Sequence, residues 1–165
     1  MTDRQHLLVH GATFAAVGDG GDISGVRGSG SPDGLFVRDA RHLSRWQLTV
    51  DGAVPQTLTP VADGDTTRCV LVPRGGRQEP PAYTVFREQA LGDGAFVESV
   101  RVTSNRPVPT TVRLAVTADA DFTDQFELRS DYRTYAKTGA VRSSQVLDDG
   151  VEFGSAMWLI TARRA

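Results

Sequence analysis

The chain has 165 residues, 39% of them hydrophobic and 23% charged, with 18 Lys+Arg against 20 Asp+Glu and a formal net charge of −2. This composition excludes a disordered or collagen-like chain, and the single cysteine, Cys69, excludes a disulfide-built scaffold. The basic excess usual in general nucleic-acid binders is missing, so nucleic acid is not an expected partner.

From the N-terminus, the apolar run Leu7-Leu8-Val9 is too short for a secretory core of about 7–15 residues or a spanning helix of about 20. No membrane partner is expected, and the chain reads as soluble and cytoplasmic. Val and Thr together number 35, whereas Leu, Glu and Lys together number only 18. Branched side chains suit the pleated strand and straight-chain helix formers are scarce, so an all-β fold is expected. Gly and Pro add 25 turn makers, spread along the chain.

The expected strands begin at His6–His10 and Thr13–Val17, followed by a glycine-rich turn at residues 18–22 and a loop, VRGSGSPDG, at Val26–Gly34. Leu35–Val37 and Arg45–Val50 come next, and Val37–Arg45 has room for one helical turn. Asp51-Gly52 is a strong hairpin signal, which makes Gln56–Pro60 the expected return strand. Arg68–Val72 is stopped by Pro73, and Tyr83–Leu91 turns at Gly92-Asp93-Gly94. The alternation of Phe96, Val100 and Val102, and of Val112, Leu114, Val116 and Ala118, predicts a hairpin of Phe96–Thr103 with Thr110–Ala118. Asp121–Leu128 suits a short capped helix. Ten to twelve strands in all point to a single domain over 1–165, an antiparallel β-sandwich with little helix.

Few residues carry a chemical signal. Gly25–Gly30 (GVRGSG) lacks the lysine and following helix of a phosphate loop, and Pro32 follows it. His6 and His10 lie about 13 Å apart along a strand, too far to share an ion, so neither metal nor cofactor is expected. Cys69 reads as a small core residue and Pro73–Arg77 (PRGGR) as a loop. The charged residues of Asp33–Trp46, among them Arg38, Asp39, Arg41 and Arg45, suggest Arg–Asp pairs bracing a sheet or an interface rim. The cluster Asp119, Asp121, Asp124 and Glu127 lacks the glycine and spacing of a calcium loop; a paired-carboxylate hydrolase centre would need two carboxyls about 5–10 Å apart across a cleft, and clustered Asp at a strand end more often serves as caps and turns. No nucleophile, base and oxyanion hole assemble, so no catalytic residue is assigned.

These two segments carry a resemblance. DGLFVRDARHLSRWQLTVDG (Asp33–Gly52) resembles the start of bacterial glycogen debranching enzymes of the amylo-α-1,6-glucosidase type. Thr13–Ile23 is similar to that family's first hairpin, and Tyr83–Arg129, ending in Asp119, Asp121, Phe122, Asp124, Phe126 and Glu127, to its central stretch. The resemblance covers residues 12–135 and fades beyond Lys137. It implies a β-supersandwich preceding a helical toroid that bears the catalytic carboxylates. On this resemblance the chain is expected to correspond to the N-terminal, non-catalytic part without the toroid, as a cut-out domain or a shortened gene product. The implied partner is the helical catalytic domain of the same polypeptide, with α-glucan a further one. Arg38, Asp39, Arg41, Asp119, Asp121 and Asp124 match motif positions and are expected to order loops facing the catalytic domain or its substrate cleft. An incomplete sheet would leave an unpaired edge that invites a homodimer. The alternative is a stand-alone sandwich for sugar binding or oligomerisation, for which Trp46, Trp158, Tyr132 and Tyr135 are the large aromatic candidates.

Overall fold

The computed structural model describes residues 4–25, 32–75, 80–92, 94–129, 142–154 and 159–163. A five-stranded antiparallel sheet contains, in spatial order, β1 (His6–His10), β2 (Thr13–Val17), β3 (Gly34–Val37), β4 (Ala40–Leu43) and β11 (Thr123–Asp124). β5 (Arg45–Val50) pairs with β10 (Leu114–Asp119). A four-stranded meander runs β6 (Gln56–Asp63), β7 (Thr66–Val72), β8 (Tyr83–Gly92) and β9 (Ala95–Ser104). A further meander joins β12 (Ser143–Leu147), β13 (Gly150–Gly154) and β14 (Leu159–Arg163). The helix α1 (Gln125–Arg129) is five residues long.

The sandwich follows from two-residue periodicity. In β8 the odd positions Tyr83, Val85, Arg87, Gln89 and Leu91 are buried while the even ones are at least partly open. Register carries that face onto Phe96, Glu98, Val100 and Val102 of β9 and onto Thr67, Cys69 and Leu71 of β7. Opposite lie Leu8, Ala15, Val17, Leu35 and Leu43 of the five-stranded sheet, which form one apolar cluster with Ile23, Leu91, Trp46 and Phe96. Leu48 and Val50 of β5 form a second cluster with Cys69, Leu71, Tyr83, Val85, Val100 and Val102. Both clusters join residues of opposing sheets, so the architecture is the expected all-β antiparallel sandwich.

Pairing departs from the sequence expectation in three places. Asp51-Gly52 does form a turn, with φ of 51° and 79°, but β6 does not return along β5; it pairs with β7. β9 pairs with β8 rather than with the next strand, and β10 crosses to β5 in the opposite layer. Alternation reports which face a strand buries but not which neighbour it takes, and prolines at 107 and 109 break the short connection a hairpin would need. The third departure is at Val37–Arg45, where β4 replaces the helical turn, because Arg41 and Leu43 are held by cross-strand partners on β3 and β11. With fourteen strands among the described residues, ten to twelve was also too few.

Candidate functional site

The two motif segments, eighty residues apart, are zipped together. At one end the turn between β3 and β4 places Arg38 in the left-handed region (φ 55°), its N–H donating to the Ala12 carbonyl at 2.9 Å. Gln125 clasps the adjoining Asp39 twice: its N–H donates to the Asp39 carbonyl and its side-chain amide to Asp39 Oδ1, both at 2.8 Å. Ala40 and Arg41 then pair with Asp124 and Thr123, and at the far end Ser44 N–H donates to the Asp119 carbonyl at 2.9 Å.

Beneath this strip lies a buried ion pair. Arg41 is 1% exposed; its Nε donates to Asp121 Oδ1 at 3.1 Å and its Nη2 to Oδ2, a two-pronged contact matched to the planar carboxylate. The third prong, Nη1, donates to the Asp33 carbonyl at 3.1 Å. The Asp33 carboxylate in turn accepts from Ser24 N–H at 2.5 Å, Ser24 Oγ at 2.6 Å and Gly25 N–H at 3.0 Å, tying down the chain that leaves the β2–β3 region. Burial by itself would raise the Asp121 carboxyl, but Arg41 and Thr123 outweigh it and hold the group below its ordinary value. An anion so held is a poor proton donor, and it is shielded from solvent. The pair ties the 33–52 segment to the 119–129 segment.

Local backbone is shaped to this pair. Gly34 has φ 152°, and a Cβ there would sit 2.5 Å from Arg41 Cδ. Only a residue without a side chain lets the guanidinium stem lie against β3. Phe122 occupies the left-handed region (φ 49°) and places its ring edge-on to His42, centroids 5.5 Å apart. Burial pushes the His42 imidazole below its ordinary pKa.

Of the six sequence candidates, Arg41 and Asp121 are thus buried partners. Arg38, Asp39 and Asp119 are exposed and Asp124 is half-buried. Sequence reasoning missed Asp33 and Ser24, and it missed a second polar network altogether. Arg87, 1% exposed, donates through Nη1 to Asp22 Oδ1 at 2.5 Å and to the Gly20 carbonyl at 2.7 Å, and through Nε to Glu98 Oε2 at 2.9 Å. Glu98 Oε2 also accepts from Trp46 Nε1 at 2.9 Å and Gln89 Nε2 at 2.6 Å. Burial alone would lower the Arg87 pKa, but the two carboxylates more than offset it and the group stays cationic. The available signal was parity: Arg87, Gln89 and Glu98 share the inward register of Val85, Leu91 and Phe96.

Of the remaining sequence candidates, those among the described residues have other contacts. Trp46 is half-buried and packs edge-on to Phe96. Tyr132, Tyr135 and Trp158 lie outside the described residues, as do most of the 25–30 loop and the end of the 73–77 loop. His6 meets Asp19 at 2.7 Å and His10 faces Asp65 at 3.9 Å. Among the described residues there is no group of three His, Cys, Asp or Glu placed to hold a metal. Cys69 is buried, as expected, and burial pushes its thiol up to about 11.

Neither a curated protein nor a solved structure matches the chain. The family model for the N-terminal domain of some glycogen debranching enzymes does, over residues 8–159, which takes in both zipped segments and the Arg87 network. The chain belongs to that family of glycogen debranching enzyme N-terminal domains.

Proposed function

We propose that this chain is the non-catalytic accessory part of an amylo-α-1,6-glucosidase-type hydrolase, and that the strip joining 38–44 to 119–125 is the face it turns toward the catalytic domain and the α-glucan. The observation that supports this reading is the division of labour within the two segments. Arg41 and Asp121 are consumed by each other below the surface, while Arg38, Asp39 and Asp119 stand exposed above them. A buried bidentate pair fixes the backbone of both segments and so presents the exposed polar groups in one arrangement. Glucan hydroxyls are recognised by fixed polar groups of this kind.

The test has two parts. The purified chain is incubated with a branched limit dextrin and released glucose is measured; no release is expected, and turnover that Asp119→Asn abolishes with the circular dichroism spectrum unchanged would overturn the non-catalytic reading. Its migration is then followed in gels containing glycogen. Retardation that is lost in Arg38→Ala/Asp39→Ala, with the circular dichroism spectrum unchanged, supports the glucan-facing strip. Retardation unaffected by that double change, or no retardation, removes glucan from the proposal.

A further inference from the structure

The strand β10 has one ladder. Its odd positions point their backbone groups at β5: Asp51 N–H donates to the Arg113 carbonyl at 2.8 Å and Ser44 N–H to the Asp119 carbonyl at 2.9 Å. In an antiparallel strand both backbone groups of a residue face the same edge, so Leu114, Val116 and Ala118 face the other. Among the described residues no strand pairs along that edge. Leu114 and Val116, though on the inward face with Leu48 and Val50, remain 42% exposed each. The edge also lacks the usual protections, with no lysine, proline or bulge within Leu114–Asp119.

What fits such an edge is written in the segment Arg113–Asp119, RLAVTAD. We propose that it pairs with the same segment of a second copy about a two-fold axis at Val116. Antiparallel self-pairing there sets Val116 opposite Val116, Leu114 opposite Ala118 and Ala115 opposite Thr117. It sets Arg113 of each copy opposite Asp119 of the other. The three even pairs are those whose N–H and C=O already point outward, so they exchange hydrogen bonds, and apolar side chains meet apolar ones on the inward face. The two Arg–Asp pairs fall on the outward face in non-hydrogen-bonded positions, where cross-strand side chains lie closest. Charge, polarity and backbone direction agree in this one register. A shift of one residue turns the backbone groups away from the edge, and a shift of two removes both charge pairs. The inference does not depend on the glucan reading.

The full chain is examined by equilibrium sedimentation. A dimer is expected, and Arg113→Glu or Asp119→Lys alone should raise its dissociation constant about tenfold by placing like charges opposite; the two changes together should restore it. Val116→Pro removes an N–H that no intrachain ladder uses and should weaken the dimer by at least a similar factor. Register is read by oxidation. Val116→Cys should cross-link to a covalent dimer, since hydrogen-bonded partners stand about 5.5 Å apart at Cα, within disulfide range, whereas Ala118→Cys, which faces Leu114, should not. A chain monomeric at the highest soluble concentration overturns the proposal. So does a dimer indifferent to the charge changes, or equal cross-linking of the two cysteine variants. Because Arg113 is an exposed side chain, its variant keeps the test decisive even where Val116→Pro fails to fold.

Discussion

At the scale of single residues, the buried Arg41–Asp121 pair makes the sharpest prediction. Replacing Asp121 with Asn leaves a cation in a dry site, and the loss is expected to be about 3–5 kcal/mol at neutral pH, measured by urea denaturation. The same carboxyl sets an acid limit. Its folded pKa lies below the unfolded value of about 3.9, so the unfolded state takes the proton first. The stabilisation is therefore complete above that pH and is lost as pH falls through the folded pKa. The Asp121→Asn protein should show a flatter stability profile below pH 4, and a profile as steep as the parent's would refute the assignment. Gly34→Ala forces a side chain into the Arg41 stem on a backbone that glycine alone adopts comfortably. The backbone strain by itself is roughly 1–3 kcal/mol, and the cost should shrink when Arg41 is also truncated. Cys69 offers a simpler check: with its thiol at about 11 it should resist a disulfide reagent at pH 8 until denaturant is added.

At the scale of elements, β8 and β9 carry a second set of buried charges into the sandwich. Arg87 and Glu98 sit between the two hydrophobic clusters, with Asp22 reaching in from the glycine-rich turn. Gly21 makes that turn possible: with φ 79° it lies under the Gln89 amide, to which it offers its carbonyl at 2.7 Å. Arg87→Leu alone should cost about 3–5 kcal/mol because Glu98 is left buried without a cation. Arg87→Leu/Glu98→Leu/Asp22→Asn should recover much of that loss in thermal denaturation. A triple variant no better than the single one would mean that packing around Trp46 and Gln89, not charge, limits the site. Strand positions for β1, β2, β5, β7 and β8 were legible from alternation and turn residues alone. Partners were not, because a period of two specifies a face and leaves the neighbour to long-range closure.

At the scale of the whole molecule, burial is uneven. β8 alternates between buried and open positions along its full length, whereas β12 is exposed at nearly every residue and Val146 is 85% exposed. Local opening follows that difference, so amides of β7 and β8 should exchange most slowly and those of β12 orders of magnitude faster in native-state hydrogen exchange. Comparable protection in both would show that β12–β14 shares the stability of the main sandwich. The Arg41 and Arg87 networks are built on different residues, so their single-site losses should add when combined, provided the sandwich unfolds as one unit.

The sequence by itself determined the fold class, because β-branched residues, scarce helix formers and distributed Gly and Pro favour short strands. It also marked the family, through two long ordered motifs, placed Cys69 in the core by its apolar run, and placed the inward face of β9 by parity. Only the tertiary structure decided that β9 meets β8, that β10 crosses to β5, and that Arg41 meets Asp121 across eighty residues. The reason is physical. Composition and periodicity are local properties that each stretch of chain carries with it. Ion pairs and strand neighbours arise only when the sandwich closes, where removing charges from water makes each demand a partner wherever the chain brings one.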